Sequence, residues 1–158
     1  MPAGTGRVKV QNTQDIDTLA GALLDLFGLL NSPQRDDALL REAGVELDRA
    51  LFPLLVRLGR RGPLGVAELA DQAGRDHTTI SRQLAKLESL GLVARTDDPQ
   101  DRRRRATGLT DAGAAVVEAI SGARRRLLSR ALADWTADDR TALAGLTRRF
   151  VQSLAQPG

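Results

Sequence analysis

Residues 68–95 read "ELADQAGRDHTTISRQLAKLESLGLVAR". Two short helical patterns meet in this stretch at a turn holding Gly74. Ala70, four residues before it, leaves room for two helices to cross closely, and the glycine supplies a backbone conformation that other residues resist. Asp76 is placed to cap the second helix. On a 3.6-residue wheel Ile80, Leu84 and Leu87 share one face, Thr78, Arg82 and Lys86 lie opposite, and Thr79 and Ser81 sit at the shoulders. The pattern predicts a helix-turn-helix whose second helix turns a polar face outward. Short hydroxyls permit close approach to a nucleic-acid groove, Arg82 can fork onto guanine or a phosphate, and Lys86 supplies charge. His77, in the first turn, reads as a spacer rather than a phosphate contact, because a helix N-terminus disfavours an imidazolium.

Downstream, "LVAR" and "RRATGLT" flank "TDDPQDR", whose Asp and Pro residues are turn chemistry. Two short strands with a basic tip make a wing. Arg102, Arg103, Arg104 and Arg105 repel one another and cannot be buried without partners, so they are expected to meet an anion. A minor groove or its flanking phosphates would suit them. Asp97, Asp98 and Asp101 beside them suit a tip shaped partly by internal ion pairs, so only some of the arginines are expected to touch DNA.

The flanks are helical. Ile16, Leu19, Leu23, Leu26, Phe27 and Leu30 form one stripe, predicting a first helix over roughly 14–31 ended by Asn31, Ser32 and Pro33. A shorter helix through Leu39 and Leu40 should stop at Gly44. Leu47, Leu51, Leu54, Leu55 and Leu58 mark a third, closed by Gly59 and Gly62, with Pro53 predicting a kink or a late start. Thr110 is placed to cap a long helix over about 111–133, and Thr136 to cap the last one, whose stripe is Leu143, Leu146, Phe150 and Leu154. Trp135 reads as a core or interface anchor. The two terminal stripes hold more apolar surface than a domain of this size needs to cover itself. Leu19, Leu23, Leu26, Phe27, Leu143, Leu146, Phe150 and Leu154 are therefore the expected contacts of a two-fold dimer.

Composition narrows the chemistry. The 158 residues contain no cysteine and one histidine, with 42% hydrophobic residues and a net charge of +3. Thiol chemistry, Cys-type zinc sites and a Ser-His-Asp triad have no material, and neither a metal, a cofactor nor a catalytic group is expected. The basic residues are almost all arginine, which suits phosphate forks and base edges. No stretch approaches a membrane span, and "MPAGTGRVKVQNTQ" lacks the apolar middle of a signal peptide, so a soluble, cytoplasmic protein is expected.

The stretch 68–95, followed by "DPQDRRRRATGLTDAG" over 98–113, resembles the MarR family of winged-helix transcription regulators. The most specific piece is the wing pattern Asp, any residue, Arg, five residues, Leu-Thr, two residues, Gly, met by Asp101, Arg103, Leu109, Thr110 and Gly113. Two positions depart from the family's habit: Arg75 and Gln83 stand where apolar residues are usual. The resemblance implies a mainly α fold with a small β-hairpin wing, a winged helix-turn-helix carried between N- and C-terminal dimerisation helices. It divides the chain into a flexible tail (1–13), N-terminal dimerisation helices (14–45), the DNA-binding domain (46–113) and C-terminal dimerisation helices (114–158). It implies a homodimeric regulator, a repressor by family habit, on double-stranded DNA at a pseudo-palindromic operator. Thr78, Thr79, Ser81, Arg82, Lys86 and Arg102 to Arg105 would contact DNA, and Asp101 with Arg103 would shape the wing. A small aromatic or anionic effector would lodge among the first helix, residues 47–58 and the long helix after Thr110. The alternative from another class is a winged helix that binds protein instead of DNA, which would be expected to lack both the basic wing and the hydroxyl-rich helix face.

Overall fold

The computed structural model describes residues 5–97 and 105–155, with residues 5–12 as backbone alone. The helices are α1 (Thr5–Leu30), α2 (Pro33–Ala43), α3 (Phe52–Arg61), α4 (Val66–Ala73) and α5 (His77–Ser89), then, after the strands β1 (Val93–Asp97) and β2 (Arg105–Leu109), α6 (Asp111–Ala131) and α7 (Ala137–Ala155). The result is a winged helix-turn-helix flanked by long helices. Asp98, Asp101, Arg102, Arg103 and Arg104, on which the wing expectations rest, lie outside the described residues.

Local chemistry sets most boundaries. Gly44 and Gly74 end α2 and α4 in the left-handed region, at φ 65° and 59°, where a side chain would be strained. Pro53 sits in the first turn of α3; the late start is what the proline imposes, because its missing N–H belongs to the unpaired first turn. Two expectations are corrected. α1 begins at Thr5 rather than near 14, since the apolar stripe starts late but no proline or glycine between Arg7 and Thr13 interrupts the backbone. Gly59 does not close α3, which continues to Arg61 and is capped by Gly62. An added Cβ at Gly59 would stand 2.8 Å from Val117 Cγ1, so the glycine marks the close crossing of α3 and α6.

The core has two parts. Leu51, Leu54, Leu55, Leu58, Leu69, Ile80, Leu84, Leu87 and Val93 pack beneath the helix-turn-helix, and Ala70 is buried with them as its small size allows. Leu55, Leu69, Ile80 and Leu87 are fully buried, each contributing about 1.5–3 kcal/mol. Leu39, Leu40, Phe52, Ile120 and Ala123 form the second part, joining α2 to α6.

The wing is an antiparallel pair running from Val93↔Leu109 to Asp97↔Arg105. Its base is held twice more. Leu64 and Thr107 exchange both backbone hydrogen bonds, at 3.1 and 2.8 Å. Thr110 caps α6 by accepting the Gly113 N–H at 3.1 Å, and its hydroxyl donates to the Gly91 carbonyl at 2.6 Å.

α1 and α7 contribute almost nothing to this core. α7 has no buried residue, and Leu19, Leu26, Phe27, Leu143, Leu146 and Leu154 are all exposed, with Leu23 and Phe150 half-buried. Trp135 is exposed too, so it anchors no core within the chain.

Candidate nucleic-acid interface

α5 is fixed at its start by Asp76. One carboxylate oxygen accepts the Thr79 N–H at 2.8 Å, and the other accepts the Thr79 hydroxyl at 2.6 Å. These two bonds, the hydroxyl's first, hold the Asp76 carboxyl below its ordinary range. Behind the helix Ile80, Leu84 and Leu87 enter the core, and the rotation this imposes leaves Thr78, Arg82 and Lys86 exposed.

The five candidate residues of α5 are therefore not equivalent. Thr79 is half-buried and spends its hydroxyl on Asp76, so capping is its visible employment. Ser81 is half-buried, with Oγ 3.4 Å from His77 Nδ1. Ser81 and Arg105 also line the same narrow groove between α5 and the hairpin, a space of about 80 Å³. Helix and wing are thus brought to one side of the domain. Arg95, which no motif singled out, joins them: exposed on β1, it lies 3.9 Å from Glu88 of α5. An exposed pair of this kind contributes little stability, which leaves its charge available to a stronger partner.

The Leu-Thr-x-x-Gly end of the wing pattern has a structural meaning. Thr110 N–H donates to Leu92 O at 3.1 Å, and a Cβ on Gly113 would stand 1.9 Å from that same oxygen. The exit from α5, the base of the wing and the start of α6 meet at this point, where only a hydrogen fits.

Two clefts lie between the winged helix and the long helices. One, of about 500 Å³, is lined by Leu30, Asp36, Arg49, Phe52, Arg57 and the α5 residues Ile80 and Gln83, with Arg75 at the turn. The departures at Arg75 and Gln83 thus converge on one cavity wall. Burial raises the Asp36 carboxyl above its ordinary range, against the lowering by Arg49. The other, of about 510 Å³, lies between α3 and Arg124 of α6 and shares Phe52, Pro53 and Arg57 with the first. The space expected among α1, residues 47–58 and the long helix is therefore divided in two.

Glu42 ties α2 to α6. Its carboxylate accepts from Arg126 Nε at 2.8 Å and from Arg130 Nη2 at 2.8 Å, and these bonds, the Arg130 bond first, hold it at about 2 instead of 4.5. A carboxyl depressed on folding stabilises the fold above its unfolded pKa and loses that contribution as pH falls toward the folded value. Glu42→Gln is expected to lower stability at pH 7, and the gap to the wild type should close between about 4.5 and 2, as read from urea unfolding across that range. A gap independent of pH would show that the charge of Glu42 is immaterial.

Comparison with known proteins agrees with this geometry. The family model described as MarR matches residues 47–104. The chain is 30% identical over 122 residues to the HTH-type transcriptional repressor NicR of Pseudomonas putida, covering 76% of this chain and 77% of that protein. The crystal structure of MarR superposes with a TM-score of 0.63 at 30% identity, over 82% of this chain and 96% of that one. A MarR family protein from Bacillus stearothermophilus shares the fold at a TM-score of 0.69 and 21% identity, over 98% of this chain and 100% of that one. Among the described residues no helix is long and apolar enough to cross a membrane. With its helix-turn-helix, its wing and this relationship over three quarters of its length, the chain belongs to the MarR family of transcriptional regulators, which act on gene expression and are not enzymes.

Proposed function

We propose that the protein is a sequence-specific DNA-binding repressor that acts as a homodimer on a pseudo-palindromic operator and is released by a small ligand. The observation that carries this reading is the exposed face of α5, with Thr78, Arg82 and Lys86 turned away from the buried Ile80, Leu84 and Leu87. Arg105 and Arg95 stand on the adjacent hairpin, and Arg102, Arg103 and Arg104 extend the same charge in sequence, with Asp101 and Arg103 setting the wing by the family pattern. A helix so presented enters a major groove, where Arg82 reads a base edge and Thr78 permits close approach. The exposed stripes of α1 and α7 supply the dimer contact, which sets two recognition helices about 34–36 Å apart.

Selection of bound duplexes from a random pool, followed by a salt titration, tests the reading. Affinity should fall steeply with salt, because each neutralised phosphate releases counterions. A chain that selects no sequence and shows no salt slope would instead be a protein-binding module. Arg82→Ala is expected to weaken operator binding by about 1–3 kcal/mol per half-site and to relax preference at one position. A uniform loss over all sequences would reassign Arg82 to a phosphate, and no loss would remove α5 from the groove.

A further inference from the structure

We propose that His77, the chain's one histidine, contacts the DNA backbone in its protonated form, so that operator binding strengthens as pH falls. That DNA is the ligand rests on the repressor reading above; the choice of residue rests on where the imidazole stands. By sequence alone His77 reads as a spacer. Its place in the fold gives it more to do. His77 opens α5, is exposed and adjoins the exposed Thr78. Its Nδ1 lies 3.4 Å from Ser81 Oγ, one turn along the helix, and Ser81 lines the groove against the hairpin. The ring therefore stands on the edge of α5 nearest the wing, and among the described residues no hydrogen bond occupies its Nε2.

The surroundings make this one group decisive. His77 and Arg105 line a recess of about 690 Å³ together with Glu68 and Asp71 of α4, and all four side chains are exposed. Among the described residues neither carboxylate has an ion pair. Glu68 accepts from the Gln72 amide at 3.2 Å, which leaves its charge intact. On α5 itself the adjacent acid, Asp76, has both oxygens bound to Thr79. While the imidazole is neutral, two carboxylates against one guanidinium give these four groups a net negative charge, which repels a phosphate. A proton on His77 cancels that charge and makes Nε2 a charge-assisted donor. The sign of the recess thus turns on a single proton.

Two fields oppose one another once DNA is bound. A helix N-terminus acts on an imidazolium as roughly half a positive elementary charge, whereas a phosphate at hydrogen-bond distance brings a full negative one. The phosphate wins, so binding takes up a proton. By linkage, affinity then rises as pH falls through the range between about pH 8 and 5 in which imidazoles change charge, and is lost as pH rises through it. Thr78 and Arg82 lie on the face of α5 turned to the bases; the edge that holds His77 meets the backbone bordering the groove.

The test is fluorescence anisotropy of a selected duplex with the full chain at pH 6 and pH 8, each over a series of salt concentrations, beside His77→Gln and His77→Arg. The wild type should bind about tenfold or more tightly at pH 6 than at pH 8. Its salt slope at pH 6 should be steeper by about one unit per half-site, because each added charge releases a counterion. His77→Gln should match the wild type at pH 8 and lose the pH response. His77→Arg should keep tight binding and the steep slope at both pH values, a rescue by charge that a spacer would not give. Glu68→Gln with Asp71→Asn should tighten binding at pH 8, and no tightening overturns the part given to the recess. A pH response that persists in His77→Gln, or a His77→Gln that no longer binds at pH 8, overturns the contact. So does a response with no change of salt slope, which would make His77 a base reader. Selected duplexes bound alike at both pH values overturn this proposal alone; failure to select any duplex at either pH overturns the repressor reading with it.

Discussion

Gly113→Ala is expected to disrupt the junction of wing, recognition helix and α6. Two effects oppose one another. Alanine inside a helix is ordinarily favoured over glycine by about 0.5–1 kcal/mol, and Gly113 has no left-handed backbone angle to protect. Against this, the added carbon would sit 1.9 Å from Leu92 O, a backbone atom that cannot swing aside. Overpacking costs about 1–3 kcal/mol where neighbours yield, and more where they cannot. Moving Leu92 would also break its bond from Thr110 N–H and with it the cap of α6. Steric exclusion therefore wins, and the variant should unfold at markedly lower urea than the wild type. Gly65→Ser is the control: its Cβ would meet nothing nearer than 3.9 Å and it stands at an uncapped helix start, so a change of a few tenths of a kcal/mol upward is expected. If Gly113→Ala melted with the wild type, the packing of this junction would have to be redrawn.

The second large effect concerns assembly. Leu26 and Leu146 are 47% and 58% exposed in the single chain, so burying what remains would gain each roughly half of the about 1.5–3 kcal/mol that full burial of such a side chain contributes. Leu26→Glu combined with Leu146→Glu would instead place unpaired charges in a dry contact. The double variant should run as a monomer in light scattering, and its unfolding midpoint should cease to depend on protein concentration. Operator affinity should fall with it, because one recognition helix reads only one half-site. A dimer of unchanged mass would move the proposed interface elsewhere.

Features that depend on neighbours in sequence were legible. Asp76, Thr110 and Thr136 cap the helices they were expected to cap, with Thr136 Oγ1 accepting the Asp139 N–H at 3.1 Å. Pro53, Gly44 and Gly74 mark the boundaries they were expected to mark, and Ile80, Leu84 and Leu87 are the buried face of α5. What escaped depends on tertiary placement. Glu42 finds Arg126 and Arg130 across 84 and 88 residues, and nothing local distinguishes those arginines from Arg124. The role of Gly59 follows from Val117 opposite it, not from its own neighbours.

The double fastening of the wing base has a consequence for how such a protein can diversify. Leu64 and Thr107 clamp β2 from one side, β1 from the other, and Thr110 ties its end to Gly91. The base of the stem thus has fastenings of its own, apart from what Asp101 and Arg103 are proposed to do at the tip. Lengthening the connection from Asp97 to Arg105 adds mainly loop-closure entropy, about 0.6 kcal/mol for each doubling. The stem works as a socket: sequences of different length and charge can be exchanged in it at small cost to the fold, so a preference for new DNA can be acquired there while the core and the dimer contact stay as they are.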